Sequence, residues 1–205
     1  MLRSRFQINR IRTRADLLTA VQRHGTLLAE CAELLVQAVE DNGGLRNATI
    51  IRICHKEREA DELVQMIHHA PAIEPARMRR LCDACETVLD RLEDTASSVS
   101  ATAVAGRLPE DLVEACRGVR DCTNLIRNAV LGVCEGIPPT ASVTELRATR
   151  KAIETRLRDT CERLLNRSED QLLIVQLQNL LSFLQRTLDA IKVCANALGE
   201  HSDAR

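Results

Sequence analysis

Four carboxylates stand at helical spacing in two neighbouring stretches of the chain: Glu57 and Asp61 within IIRICHKEREADELVQMI (50–67), and Glu86 and Asp90 within ETVLDRLED (86–94). In the first stretch Ile50, Cys54, Val64 and Ile67 recur every three or four residues, which places them on one face of a helix. Glu57 and Asp61 fill the central positions of that apolar stripe. Two carboxylates one turn apart and aimed inward repel each other and are costly to desolvate. A polyvalent cation held by oxygen ligands removes both costs. An Arg or Lys from a neighbouring helix would remove them as well, and a wet bundle edge would soften them. The spacing leaves these readings open.

Glu86 and Asp90 lie to the side of, or opposite, a stripe formed by Leu81, Cys85, Val88, Leu92 and Val99, with Asp83, Glu93 and Asp94 nearby. Alone they would be a solvated face. Their helix follows the one carrying Glu57 and Asp61, and antiparallel neighbours can bring the two pairs together. Four carboxylates make a hard-oxygen site for Fe, Mn, Mg or Ca, with Zn less favoured unless His55 joins. The second half holds a degenerate counterpart. Glu154 and Arg158 occupy a stripe with Lys151, Leu157, Cys161 and Leu165, and Gln185 and Asp189 flank Leu177, Leu181, Leu184, Leu188 and Ile191. Glu154 and Arg158, four residues apart, are expected to neutralise each other, so this half should bind metal poorly or not at all.

These residues need long helices to hold them. Helical periodicity runs from about Arg14 to Glu40, Leu45 to Ala70, Pro75 to Val104, Glu110 to Cys134, Ser142 to Asn166, and Ser168 or Asp170 to Leu198. Asp41-Asn-Gly-Gly44, Pro71 with Pro75, Gly106 with Pro109, and Gly136-Ile-Pro-Pro139 punctuate them. Ser142 and Glu145, three apart, look like a capping box for the fifth helix. The expectation is an all-α, six-helix antiparallel bundle of two three-helix repeats, about 14–105 and 109–200, in one domain spanning 1–205.

Composition narrows the function. Aromatic residues are 1 % of the chain, with no Trp or Tyr, which argues against sheets and removes the stacking platforms of single-strand binders. The net charge of −1 gives no nucleic-acid footprint. No apolar run is long enough to span a membrane. The Arg-rich start, MLRSRFQINRIRTR, lacks the apolar segment of a secretory signal and reads as a solvated helix start, or as a basic tail touching anionic lipid. Nine cysteines are an odd number for a disulfide framework, and several fall at apolar positions, which fits a reducing compartment. Cys82 and Cys85 form a single CxxC without a second pair, and read as helix packing rather than zinc or redox chemistry. None of the five histidines follows a Glu by three residues, so the Glu-x-x-His of di-metal carboxylate bundles is missing. No phosphate loop, dinucleotide fingerprint or nucleophile elbow occurs.

The pattern resembles the PhoU-like proteins, in particular the branch that accompanies Pit-type phosphate permeases. Glu57-Arg-Glu-Ala-Asp61, Glu86-Thr-Val-Leu-Asp90 and the worn copy Gln185-Arg-Thr-Leu-Asp189 carry the resemblance, which covers about residues 15–198. It implies a six-helix PhoU-like fold and a metal ion or cluster on Glu57, Asp61, Glu86 and Asp90. It also implies a non-enzymatic, cytoplasmic role in regulating phosphate uptake by contact with a permease at the inner membrane face, with a homo-oligomer allowed. Arg158 and Gln185 depart from the pattern, so the resemblance supports at most one metal site. Two other classes compete: a metal-free helical scaffold whose acids pair with arginines, and a di-metal carboxylate oxidase or hydrolase.

Overall fold

The structure, a computed structural model, describes residues 11, 13–41, 46–70, 76–102, 108–165 and 171–202. Every regular element among them is an α-helix: α1 (Arg14–Glu40), α2 (Arg46–His68), α3 (Ala76–Thr102), α4 (Glu110–Cys134), α5 (Thr140–Leu165) and α6 (Gln171–Gly199). The gaps between successive helices run from five residues (41–45) to seven (69–75). A connection that short reaches at most ~25 Å, less than a helix of 23 residues or more, roughly 35 Å. Each helix must therefore return beside the one before it.

α1 packs on α2 and α3, and α4 packs on α5 and α6 in the same way. The halves join through α1 against α4 and α3 against α6. Four helices thus form a central layer, and α2 and α5 flank it. Burial follows this arrangement. α1 buries residues around most of its circumference, including Leu17, Val21, Leu27, Leu28, Leu34 and Leu35. α2 buries only Arg46, Thr49, Ile50, Ile53, Ala60 and Ile67. The predicted α6 stripe of Leu177, Leu181, Leu184, Leu188 and Ile191 is buried throughout. One continuous cluster of buried apolar residues runs through both halves.

Local chemistry sets the helix ends. Thr13 and Asp16 form a capping box on α1: Asp16 N–H donates to Thr13 Oγ1 at 3.1 Å, and Thr13 N–H donates to Asp16 Oδ2 at 3.0 Å. The end of α1 is capped from the next helix. The buried Arg46 donates from Nε to Ala38 O at 2.9 Å and from Nη2 to Asp41 O at 2.5 Å, satisfying carbonyls that α1 leaves open. α4 is closed just past its end by Gly136 (φ +79°), with Ile137 N–H donating to Gly132 O at 2.8 Å and Gly136 N–H to Val133 O at 3.1 Å.

The expected capping box at Ser142 and Glu145 is not used. α5 begins two residues earlier, at Thr140, and Val143 N–H donates to Pro139 O at 2.9 Å. The Pro-Pro pair that stops α4 also starts α5, because a fixed φ near −65° suits a helix's first turn. The caps expected at Ser168 or Asp170, and residues 1–10 of the basic start, lie outside the described residues.

None of the nine cysteines, all among the described residues, is in a disulfide. Cys82 and Cys85 are buried in the core, and Cys85 Sγ lies 3.6 Å from Cys194 Sγ of α6. Burial pushes the Cys31, Cys116 and Cys122 thiols up to about 12, so they stay protonated and pack as small apolar groups.

Candidate metal centre

α2 and α3 lie side by side on α1, and three of the four acids, Glu57, Asp61 and Glu86, come together between them. α2 is rotated from the expected orientation. Ile50 and Ile67 are buried as predicted, but the middle of the buried face is Ile53 and Ala60. Cys54, Glu57 and Val64 are half-buried and Asp61 is exposed. The reading of both acids as core-facing is corrected: a helix packed on two neighbours keeps Ile53 and Ala60 inward, which moves Glu57 and Asp61 to the rim.

Glu57, Asp61 and Glu86 each offer a carboxylate oxygen, and the three oxygens lie within 4.8 Å of one another. Asp90, expected as the fourth member, stands outside this triad and is exposed. It still belongs to the same electrostatic neighbourhood. Burial and the charge of Asp61 raise the Asp90 carboxyl above its ordinary range, against an opposing pull from Arg91.

Glu86 anchors the triad. Its side chain is 14 % exposed, and its Oε2 accepts a hydrogen bond from Nε2 of His24 on α1 at 2.7 Å. Its other oxygen, Oε1, is buried and has no hydrogen-bond partner among the described residues. Sequence reasoning missed His24. It sits on the α1 stripe between Val21 and Leu28, and a lone histidine at such a position carries no specific signal.

The electrostatics follow from geometry. Burial raises the Glu57 carboxyl to about 7, and the nearby charges of Asp61, Glu93, Glu86 and Asp90 push the same way. Burial also raises the Glu86 carboxyl, with His24 pulling it back. For His24 burial lowers the pKa, but hydrogen bonding to Cys85 and Glu86 outweighs it and brings the group to about 9. The nearby cations are engaged elsewhere. Arg23 pairs with Glu59 at 2.8 Å and Glu30 at 3.2 Å, Lys56 pairs with Glu30, and Arg91 pairs with Asp94 at 2.7 Å. Among the described residues no Lys or Arg forms an ion pair with Glu57, Asp61 or Glu86.

The donor set fits a cation that favours oxygen. It offers three carboxylates, one of them presenting a buried oxygen that lacks a proton donor. Glu57, Asp61 and Glu86 would hold the ion directly, and His24 would stand behind Glu86. His55 is exposed and takes no place in the triad.

The second half gathers no such group among its described residues. Glu154 is half-buried and accepts from Arg150 Nη1 at 3.1 Å. The expected pairing of Glu154 with Arg158 is therefore replaced by one with the residue a turn earlier. Arg158 is exposed because α5 turns Ile153, Leu157 and Thr160 inward. Gln185 is half-buried and Asp189 exposed.

Comparison with solved structures fixes the architecture. A Shewanella oneidensis MR-1 protein described as a PhoU-like phosphate regulatory protein superposes with a TM-score of 0.74, at 15 % identity, over 90 % of this chain and 94 % of that one. The chain has the PhoU-like fold. A second protein from the same organism, described as PhoU-like, agrees with a TM-score of 0.73, at 14 % identity, over 89 % of this chain and 97 % of that one. No family model and no curated protein matches the sequence. The six-helix bundle expected from helix spacing, and the PhoU-like fold that the resemblance implied, agree with the observed fold. Among the described residues no helix is long and apolar enough to cross a membrane.

Proposed function

We propose that this protein is a non-enzymatic regulator of inorganic phosphate transport that binds a metal ion through Glu57, Asp61 and Glu86 and docks on a membrane phosphate permease of the Pit type. The observation that carries the metal reading is the convergence of three carboxylates from two helices, one of which, Glu86, also has a buried oxygen without a hydrogen-bond partner among the described residues. The PhoU-like fold, shared with a protein described as a phosphate regulatory protein, supports the transport role. A bound cation would neutralise the rim of the α2–α3 seam and tie the flanking helix α2 to the central helix α3. Metal occupancy would then set how firmly α2 is held. An all-carboxylate donor set without imidazole favours a structural or regulatory ion over redox or hydrolytic chemistry.

The test has two arms. Phosphate uptake is measured in cells lacking the protein, then with the wild type or the Glu57→Gln/Asp61→Asn variant restored. Capture of a Pit-type permease on the tagged full chain is measured in parallel. The reading expects altered uptake in the absence of the protein, restoration by the wild type alone, and metal-dependent capture. Unchanged uptake together with no permease captured overturns the transport role, whatever the metal does.

A further inference from the structure

The triad's inner member is held from behind by a residue of a third helix. His24 of α1 is 1 % exposed, and its Nε2 lies 2.7 Å from Glu86 Oε2. An imidazole buried this deeply is costly unless its nitrogens are used, and a leucine would fill a helix–helix core without that cost. The Glu86 carboxylate, a group that only accepts when ionised, takes a hydrogen bond from the ring, which is therefore protonated at Nε2. The terminal torsion of a Glu side chain is broad, so a free carboxylate would present either oxygen in several orientations. The bond to Oε2 removes that freedom. Oε1 is then the oxygen left for an ion: it is buried and without a hydrogen-bond partner among the described residues, on a carboxylate that offers an oxygen within 4.8 Å of those of Glu57 and Asp61.

We propose that His24 is a positioning residue for a divalent-cation site: by fixing Glu86 Oε2 it presents Glu86 Oε1 to the ion together with Glu57 and Asp61. This rests on the metal reading above and adds to it a reason for the buried histidine. It makes the site a three-helix device. α2 supplies the rim carboxylates, α3 supplies the anchored one, and α1 fixes the anchor. Outer-shell partners of this kind typically change metal affinity by roughly 10- to 100-fold.

The experiment is Mn²⁺ titration by calorimetry on the chelator-stripped full chain. The wild type is compared with His24→Phe, which keeps a ring and loses the donor, with His24→Gln, whose amide N–H can replace Nε2–H, and with Glu57→Gln/Asp61→Asn. His24→Phe is expected to weaken Mn²⁺ binding by roughly 10- to 100-fold, and His24→Gln to stay within about threefold of wild type. A merely structural histidine would lower the denaturation midpoint in both variants and leave the dissociation constant alone. Wild-type binding that His24→Phe retains overturns this inference and spares the triad. Wild-type binding that Glu57→Gln/Asp61→Asn retains moves the site elsewhere and overturns both, as does no binding by the wild type. If His24→Phe does not fold, the ¹⁵N resonance of the His24 ring in the wild type decides during Mg²⁺ titration. A shift that saturates with the ion supports the role, and an unmoved resonance overturns it.

Discussion

Removing two charges from the triad should change stability in opposite directions with and without metal. In the double variant Glu57→Gln/Asp61→Asn the side chains keep their size and lose their charge. Ligand oxygens of the triad lie within 4.8 Å of one another. At that separation two like charges repel by about 1 kcal/mol in a water-like medium and about 3 kcal/mol at an effective dielectric of 20. Asp61 is exposed and Glu57 only half-buried, so the lower end applies. The metal-free variant should therefore be more stable than metal-free wild type by roughly 1 kcal/mol, a rise of about 2–4 °C in melting temperature for a chain of this size. With an ion at a hundred times its dissociation constant, the wild type should gain about 2.7 kcal/mol, roughly 5–11 °C, and the variant little.

The assay is thermal unfolding followed by circular dichroism at pH 8, first in chelator and then with Fe²⁺, Mn²⁺, Mg²⁺, Ca²⁺ or Zn²⁺. The crossover separates ligand loss from general damage, because a variant that is simply misfolded cannot melt higher than wild type in chelator. A wild type whose melting is indifferent to all five ions refutes the metal reading. A variant that melts lower than wild type in chelator refutes the electrostatic argument, because it would mean that the two acids are stabilised by partners other than a cation.

The metal-free protein should lose stability as pH rises. Glu57 is raised from 4.5 to about 7 in the fold, so its protonated form favours folding below pH 4.5, an advantage lost by about pH 7 and, after screening, on the order of 1 kcal/mol. His24, raised from 6.5 to about 9, contributes stability that is full below pH 6.5 and lost as pH rises through about 9. Urea midpoints in chelator from pH 5 to 9 check both, and a flat profile contradicts them. Arg46→Ala should cost roughly 2–4 kcal/mol, because two carbonyls at the end of α1 lose a charged donor, and Arg46→Lys should recover only part of it in urea unfolding. Gly118→Ala should destabilise by roughly 1–3 kcal/mol, since the new methyl would sit 2.7 Å from Ile153 Cγ1, and Ile153→Val should relieve part of the loss. Glu154→Gln/Asp189→Asn should leave the metal response of melting unchanged, which locates the ion in the first half.

The helices and their order were legible in the sequence because they are long, apolar at a regular period and separated by Gly and Pro. α4 has the predicted boundaries, and the predicted α6 stripe is buried as expected. The flanking helices were harder to read. α2 and α5 contact two helices each and leave the rest of their surface to solvent, so their apolar residues do not form a single clear stripe. On α2 the competition between Ile53–Ala60 and Cys54–Glu57 was settled by packing, and a period count alone cannot weigh the two. The acidic spacing pointed to Glu57, Asp61 and Glu86 but not to the exclusion of Asp90 from the triad, which depends on how α3 packs and not on its period. His24 was invisible because its partner lies 62 residues away, and nothing local distinguishes it from a core histidine.

The asymmetry of the halves follows from the same architecture. The central layer of α1, α3, α4 and α6 joins the two halves, and it includes the hydrogen bond between the buried Thr95 and Thr187 hydroxyls at 3.1 Å across α3 and α6. Changes on those inner faces would be felt throughout the bundle. The rim residues of α2 and α5 carry little of that packing, so charge can be exchanged there at small cost to the fold. In the pairing of the halves read from the motif spacing, Arg158 corresponds to Asp61 and Gln185 to Glu86. Those two exchanges change the local charge from negative towards positive without removing a buried apolar contact. Glu154 pairs with Arg150 on its own helix. A fold that keeps its inner layer fixed can therefore hold one acidic centre and one neutralised copy in the same chain. The difference between them lies in a few side chains at the α2–α3 and α5–α6 seams.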